Sequence, residues 1–158
     1  MALAVIFGLY FGIGILAALG VIAFSRKQFT PRVEPVFFGL LLIPIAAIYL
    51  AFSVHFGSTA GWRNEGLAAG DFALLALVGI RLPLVLLLAY VLHGAWDLLH
   101  EITALTAAPQ APPSTLTAIP LAYGVFCAAF DWFIAGYFYT RRAQWALGRE
   151  VTCCLTTA

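Results

Sequence analysis

The stretch "ALAVIFGLYFGIGILAALGVIAF", residues 2–24, contains no charge and no proline. A soluble domain has no place to bury so long a run, whereas a bilayer crossing takes about 20 apolar residues. The apolar runs of this chain are continuous rather than alternating, so they read as helices and not as barrel strands. Charged residues make up only 9% of the 158 residues and apolar ones 63%, where a soluble domain carries about a quarter charged. The expected fold is therefore all-α, a polytopic transmembrane bundle whose partner is the lipid bilayer. A net charge of +1 with no basic block gives nothing to track phosphates, which excludes nucleic acid as a partner.

Five helices are expected in a single domain spanning 1–158, at about 2–24, 35–56, 61–80, 82–104 and 119–140. The first follows no positive residue and exceeds a signal-peptide core, so it reads as an uncleaved helix. The second carries Pro44 as a kink. Residues 62–105 are too long for one crossing at about 1.5 Å per residue, and "IRLPL" supplies the break. "TAAPQAPPSTLTA", 106–118, is a Pro/Ala/Thr linker. With two crossings in that central stretch, Arg26, Lys27, Arg32, Arg81, Arg141, Arg142 and Arg149 share one side and only Arg63 lies opposite. The positive-inside bias then places the N-terminus outside and the C-terminus inside, as in a bacterial inner membrane. Gly8 and Gly12 form a small-xxx-small pair through which the first helix would pack. Cys153 and Cys154 are adjacent, a spacing that suits acylation or no role better than a disulfide.

Against this apolar background, "VLHGAWDLLHE", residues 91–101, concentrates two of the three histidines and two of the seven carboxylates. At about 100° per residue, His93, Asp97 and His100 fall within an arc of about 60° with Glu101 at its edge. Leu88, Val91, Leu92 and Leu99 occupy the opposite, lipid-facing side. In the five-helix topology, Asp71, His93 and Asp131 lie roughly 13–18 Å from the outer ends of their helices. Asp97, His100 and His55 sit nearer the mouth, and Glu65 and Glu101 at the rim. A charged aspartate at that depth costs a few kcal/mol, so the stripe must face the bundle interior. Tyr49, Ser53 and Cys127 add polar atoms at comparable depth.

Imidazoles and carboxylates in this combination are the donor set of a divalent metal, zinc first, iron or manganese next, with a water position left open. His93, Asp97 and His100 would be ligands, with His55 and Asp131 closing the site from neighbouring helices. Glu101 or Asp71 would take the proton of the bound water. For each residue taken singly the alternative is an interhelical hydrogen bond, worth about 0.6–2 kcal/mol. Trp96 and Trp132 read as packing or belt aromatics.

"LHGAWDLLHE", together with Gly61, Trp62, Glu65 and Gly66 upstream and Cys127 and Asp131 downstream, resembles the small integral membrane proteins of domain of unknown function family 6010. The resemblance covers about residues 60–135 and implies a compact helical bundle with a shared polar motif, without naming a reaction. In that family's pattern a further histidine often follows the second one; here Glu101 stands in its place.

The leading expectation for function is a metal-dependent membrane enzyme, a hydrolase of a lipid or amphipathic small molecule. One alternative is an accessory subunit of a larger membrane complex, with histidines ligating haem or a chlorophyll-type pigment or bracing the bundle. Another is a small transporter with a proton relay.

Overall fold

The computed structural model describes residues 1–57, 59–106 and 116–156. Among them are five helices and no strand: α1 (Ala2–Gln28), α2 (Glu34–His55), α3 (Thr59–Arg81), α4 (Pro83–Thr106) and α5 (Tyr123–Thr156). Three of these, α1, α2 and α4, are long and apolar enough to cross a membrane, with mean hydropathies of 2.5, 2.4 and 1.4 over their most apolar windows.

The break expected at "IRLPL" is present: only Leu82 separates α3 from α4, and Pro83 opens α4, where its missing N–H costs nothing. So tight a reversal brings the two helices together, and a Cβ on Gly79 would stand 2.8 Å from the Leu86 backbone. Pro44 lies inside α2, and the helix is continuous across it.

Two boundaries differ from expectation. α5 begins at Tyr123 rather than near 119, because Glu101 fixes the chain just before it. It also runs to Thr156 instead of stopping at the Arg141–Arg142 pair. Nothing in "RRAQWALGRE" breaks a helix, and Arg141 and Trp145 are held by a buried partner rather than ending the helix at an interface. Cys153 and Cys154 fall in the last turns of α5, where side chains lie outside the described residues, as do residues 107–115 of the linker.

The helices pack around in the order α1, α5, α4, α3, α2, and α2 touches α1 only lightly. The main core is built from Phe38 and Leu42 of α2, Leu86 and Tyr90 of α4, and Ile134 and Phe138 of α5. Tyr90 donates its hydroxyl hydrogen to the Phe38 carbonyl at 2.9 Å, so even the polar atom of this layer is satisfied. α1 lies against α5 along Gly14, Ala18, Ile22 and Ser25.

The close approach of α1 is made at Gly14 and not at Gly8 and Gly12, which face open space. A Cβ on Gly14 would run into the Phe126 carbonyl and lie 3.0 Å from the Ala129 Cβ. Gly14→Leu is therefore expected to lower stability by about 1–3 kcal/mol through overpacking, while Gly8→Leu leaves it unchanged. Thermal unfolding of both variants in detergent checks this.

Candidate functional site

The stripe on α4 faces inward as its periodicity requires. His93, Asp97, His100 and Glu101 are all at most 3% exposed, whereas Leu88, Leu92 and Leu99 are 44–48% exposed. The four inward residues have separated into three different tasks.

His93 and Asp97 form the first, with Asp131 of α5. His93 Nδ1 lies 2.6 Å from Asp131 Oδ2 and 3.3 Å from Asp97 Oδ2. The i, i+4 spacing on α4 sets the His93–Asp97 pair, and α5 brings Asp131 across to it. Donor atoms of all three residues converge within 4.8 Å. Tyr49 of α2 donates its hydroxyl hydrogen to Asp97 Oδ1 at 2.5 Å, and Phe72 of α3 covers the His93 ring edge-on at 4.8 Å. Four helices therefore build the cluster, and Cys127 lies buried one turn before Asp131.

Its hydrogen bonding is incomplete. His93 Nε2, Asp97 Oδ2 and Asp131 Oδ1 are buried without a hydrogen-bond partner. When ionised, the two carboxylates carry two negative charges against at most one positive charge on His93, in a setting where an uncompensated buried charge is expensive. A divalent cation on the shared donors would balance the charge. The donor set of one imidazole and two carboxylates suits zinc, iron or manganese and leaves further coordination positions open.

His100 has a different task. Its Nδ1 lies 3.0 Å from the Trp96 carbonyl, which can only accept, so Nδ1 carries a hydrogen. Its Nε2 lies 2.9 Å from Glu65 Oε1, and its ring stacks on Tyr49 at 4.3 Å. Both nitrogens are thus occupied. Glu65, expected at the rim, is 1% exposed and also accepts from Trp96 Nε1 at 3.3 Å and from the Thr117 backbone N–H at 3.1 Å. Trp96 is therefore a hydrogen-bond donor to this carboxylate as well as a packing ring.

Glu101 has the third task. Its two carboxylate oxygens accept the backbone N–H groups of Ala122 and Gly124 at 2.9 and 3.0 Å. It caps the start of α5, where Ala122 takes a left-handed φ of 63°. An acidic group suits that end of a helix, and neither oxygen is left free to serve as a base.

The remaining expected residues are elsewhere. His55 is the exposed last residue of α2, with a ring contact to its neighbour Phe56. Asp71 is exposed on α3, while the adjacent Phe72 turns inward. Neither joins the cluster.

A further polar cluster, at the far end of the bundle, has no counterpart in the sequence reading. Glu34, fully buried, accepts from Tyr137 Oη at 3.0 Å, from Arg141 Nε and Nη2 at 3.2 and 2.9 Å, and from Trp145 Nε1 at 2.8 Å. The one signal for it was a lone glutamate among the arginines that were assigned to the same side.

Comparison with known proteins gives one match. No curated protein and no solved structure matches the chain. A family match extends over residues 9–144, beyond the 60–135 carried by the motif, and takes in residues from every helix of the cluster. The chain belongs to this family, described as Family of unknown function (DUF6010).

Proposed function

We propose that the chain is a metal-dependent membrane enzyme, in which His93, Asp97 and Asp131 hold a zinc-like divalent ion and the substrate is a lipid or amphipathic small molecule. The observation that carries this reading is the convergence of three buried donor residues within 4.8 Å, with one atom of each unpartnered. A divalent ion held there would lower the pKa of a bound water toward neutrality and so supply hydroxide. Asp131, through its free Oδ1, takes the proton in place of Glu101 or Asp71. Tyr49 fixes the Asp97 carboxylate and keeps a hydroxyl hydrogen beside the reacting groups. Five crossings, an outer N-terminus and a bacterial inner membrane belong to the same reading. The crossings are supported by the apolar residues on the outer faces of the helices, such as Leu16, Leu40, Leu74 and Leu84 at 53–68% exposure, and the orientation by the basic residues that share one side.

The other readings have less support. Haem or pigment ligation needs an imidazole nitrogen that faces room for a macrocycle, yet both nitrogens of His100 are taken and His93, though its Nε2 is unpartnered, is enclosed by Phe72 and the carboxylates. A proton relay needs polar continuity, but the layer of Phe38, Leu86, Ile134 and Phe138 lies between the His93 cluster and Glu34, and its one polar side chain, Tyr90, is committed to the Phe38 carbonyl.

The test is elemental analysis of detergent-purified protein. Wild type is expected to hold about one zinc, iron or manganese per chain. His93→Ala and Asp131→Asn should lose it, and His55→Ala and Asp71→Asn should keep it. No metal in the wild type, or metal that persists in His93→Ala and Asp131→Asn together, overturns the reading.

A further inference from the structure

A cavity of about 250 Å³ opens beside the cluster between α2 and α5. Ile45 and Ile48 form one wall, Phe126 and Phe130 the other, and Tyr123, Cys127 and Asp131 are its polar members. No residue of α1, α3 or α4 lines it.

Its position follows from how α2 and α5 are held. At one end of the bundle Glu34 ties α2 to Arg141 and Trp145, and Phe38 packs on Phe138 at 5.0 Å. At the other end Tyr123 closes over α2, with its ring 5.1 Å from Phe52 and 6.4 Å from Tyr49. Between these two closures the helices stand apart. The way in is therefore sideways, past Ile48, which is 38% exposed, and not from either end.

We infer that this opening is a lateral window through which a single-chain lipid with a small uncharged polar head, such as a fatty ester, reaches Asp131 from the hydrocarbon. Three features select that class. The cavity is smaller than the roughly 300–1,000 Å³ of sites that enclose a whole drug-sized ligand, so it holds one end of a molecule whose remainder stays in the membrane. Its walls are apolar apart from Tyr123, Cys127 and Asp131, which match a hydroxyl-sized head. None of its lining residues is cationic, and the charge of a divalent ion on His93, Asp97 and Asp131 would already be cancelled by the two carboxylates, so a phosphate or carboxylate head would enter without a counter-charge. The inference rests on the reading of His93, Asp97 and Asp131 as the reacting centre, and it names the substrate class of that centre.

The experiment uses the full chain in phosphatidylcholine nanodiscs containing a small proportion of hexadecanol, the alcohol product of such an ester, with a diazirine near its hydroxyl end. After photolysis, labelled positions are mapped by mass spectrometry, and metal content is measured on the same preparation. Label is expected to concentrate several-fold on 45–48 and 126–130 relative to the lipid-facing Leu9–Leu16 face of α1. Ile48→Trp and, independently, Ile45→Phe should each reduce it several-fold, Leu16→Trp should not, and metal content should be unchanged in all three. Excess unlabelled hexadecanol should compete and excess diacyl phosphatidic acid should not. Even labelling of every lipid-facing helix, labelling indifferent to both window variants, or competition by phosphatidic acid overturns the window or its ligand class. Metal content decides the metal reading separately, since neither Ile45 nor Ile48 belongs to the donor set.

Discussion

Glu34→Ala should destabilise the protein by about 3–5 kcal/mol, the cost of leaving one member of a buried ion pair without the other. The wild-type carboxylate is fully buried and accepts from Tyr137, Arg141 and Trp145. Its removal leaves a guanidinium that is only 16% exposed, along with an indole N–H, facing an apolar methyl group. Glu34→Gln should cost less, because the amide oxygen still accepts from one of these donors. Unfolding free energies in mixed micelles measure both. If Glu34→Ala unfolds no earlier than the wild type, this cluster is not what holds α2 to α5. The effect should be on stability alone, since the layer of Phe38, Leu86 and Phe138 separates Glu34 from His93.

The second large effect is expected at Glu101, where it also separates two roles. Glu101→Ala orphans the buried N–H groups of Ala122 and Gly124. At about 1–3 kcal/mol for each unsatisfied group, the loss should reach several kcal/mol, and Glu101→Gln, which keeps an acceptor oxygen, should recover a large part of it. A general base would behave differently: its removal would leave the unfolding transition in place and abolish only turnover. The alanine variant should also keep whatever metal the wild type binds, because the donors on His93, Asp97 and Asp131 do not include Glu101. A Glu101→Ala protein with wild-type stability would overturn the capping role.

The inward stripe on α4 was legible because helical periodicity is a property of the sequence itself. Residues at i, i+4 and i+7 share a face in any helix, and the break before Pro83 is local chemistry. The presence of Tyr49, Cys127 and Asp131 at comparable depth was legible for the same reason. What the chain does not encode locally is which group meets which. His93 and His100 look alike on the stripe, yet one is paired with Asp131 and the other with Glu65. That difference is set by the neighbouring helix, 38 residues away in one case and 35 in the other. The cap made by Glu101 was not legible because a cap is defined by the backbone it reaches, and that backbone lies across a linker. The Arg141–Glu34 pairing was not legible because basic residues at an interface and a basic residue bound to a buried carboxylate have the same sequence.

The position of the acceptors and donors along the chain also dictates an order of assembly. Glu34 waits for donors 103–111 residues later, all of them on α5. The pairing of His93 with Asp131, and the N–H groups held by Glu101, likewise need the last helix or the segment leading into it. Glu65 and Asp97 find partners within the first four helices, in His100 and in Tyr49 and His93, but until α5 arrives Glu34 and Glu101 have no internal counterpart, and hydrocarbon offers none. The nascent bundle must therefore keep these groups near headgroups or water and draw them inward only as α5 docks. Completion of the polar interior is thus late, and a chain stopped before Tyr123 would leave Glu34 without any of its partners.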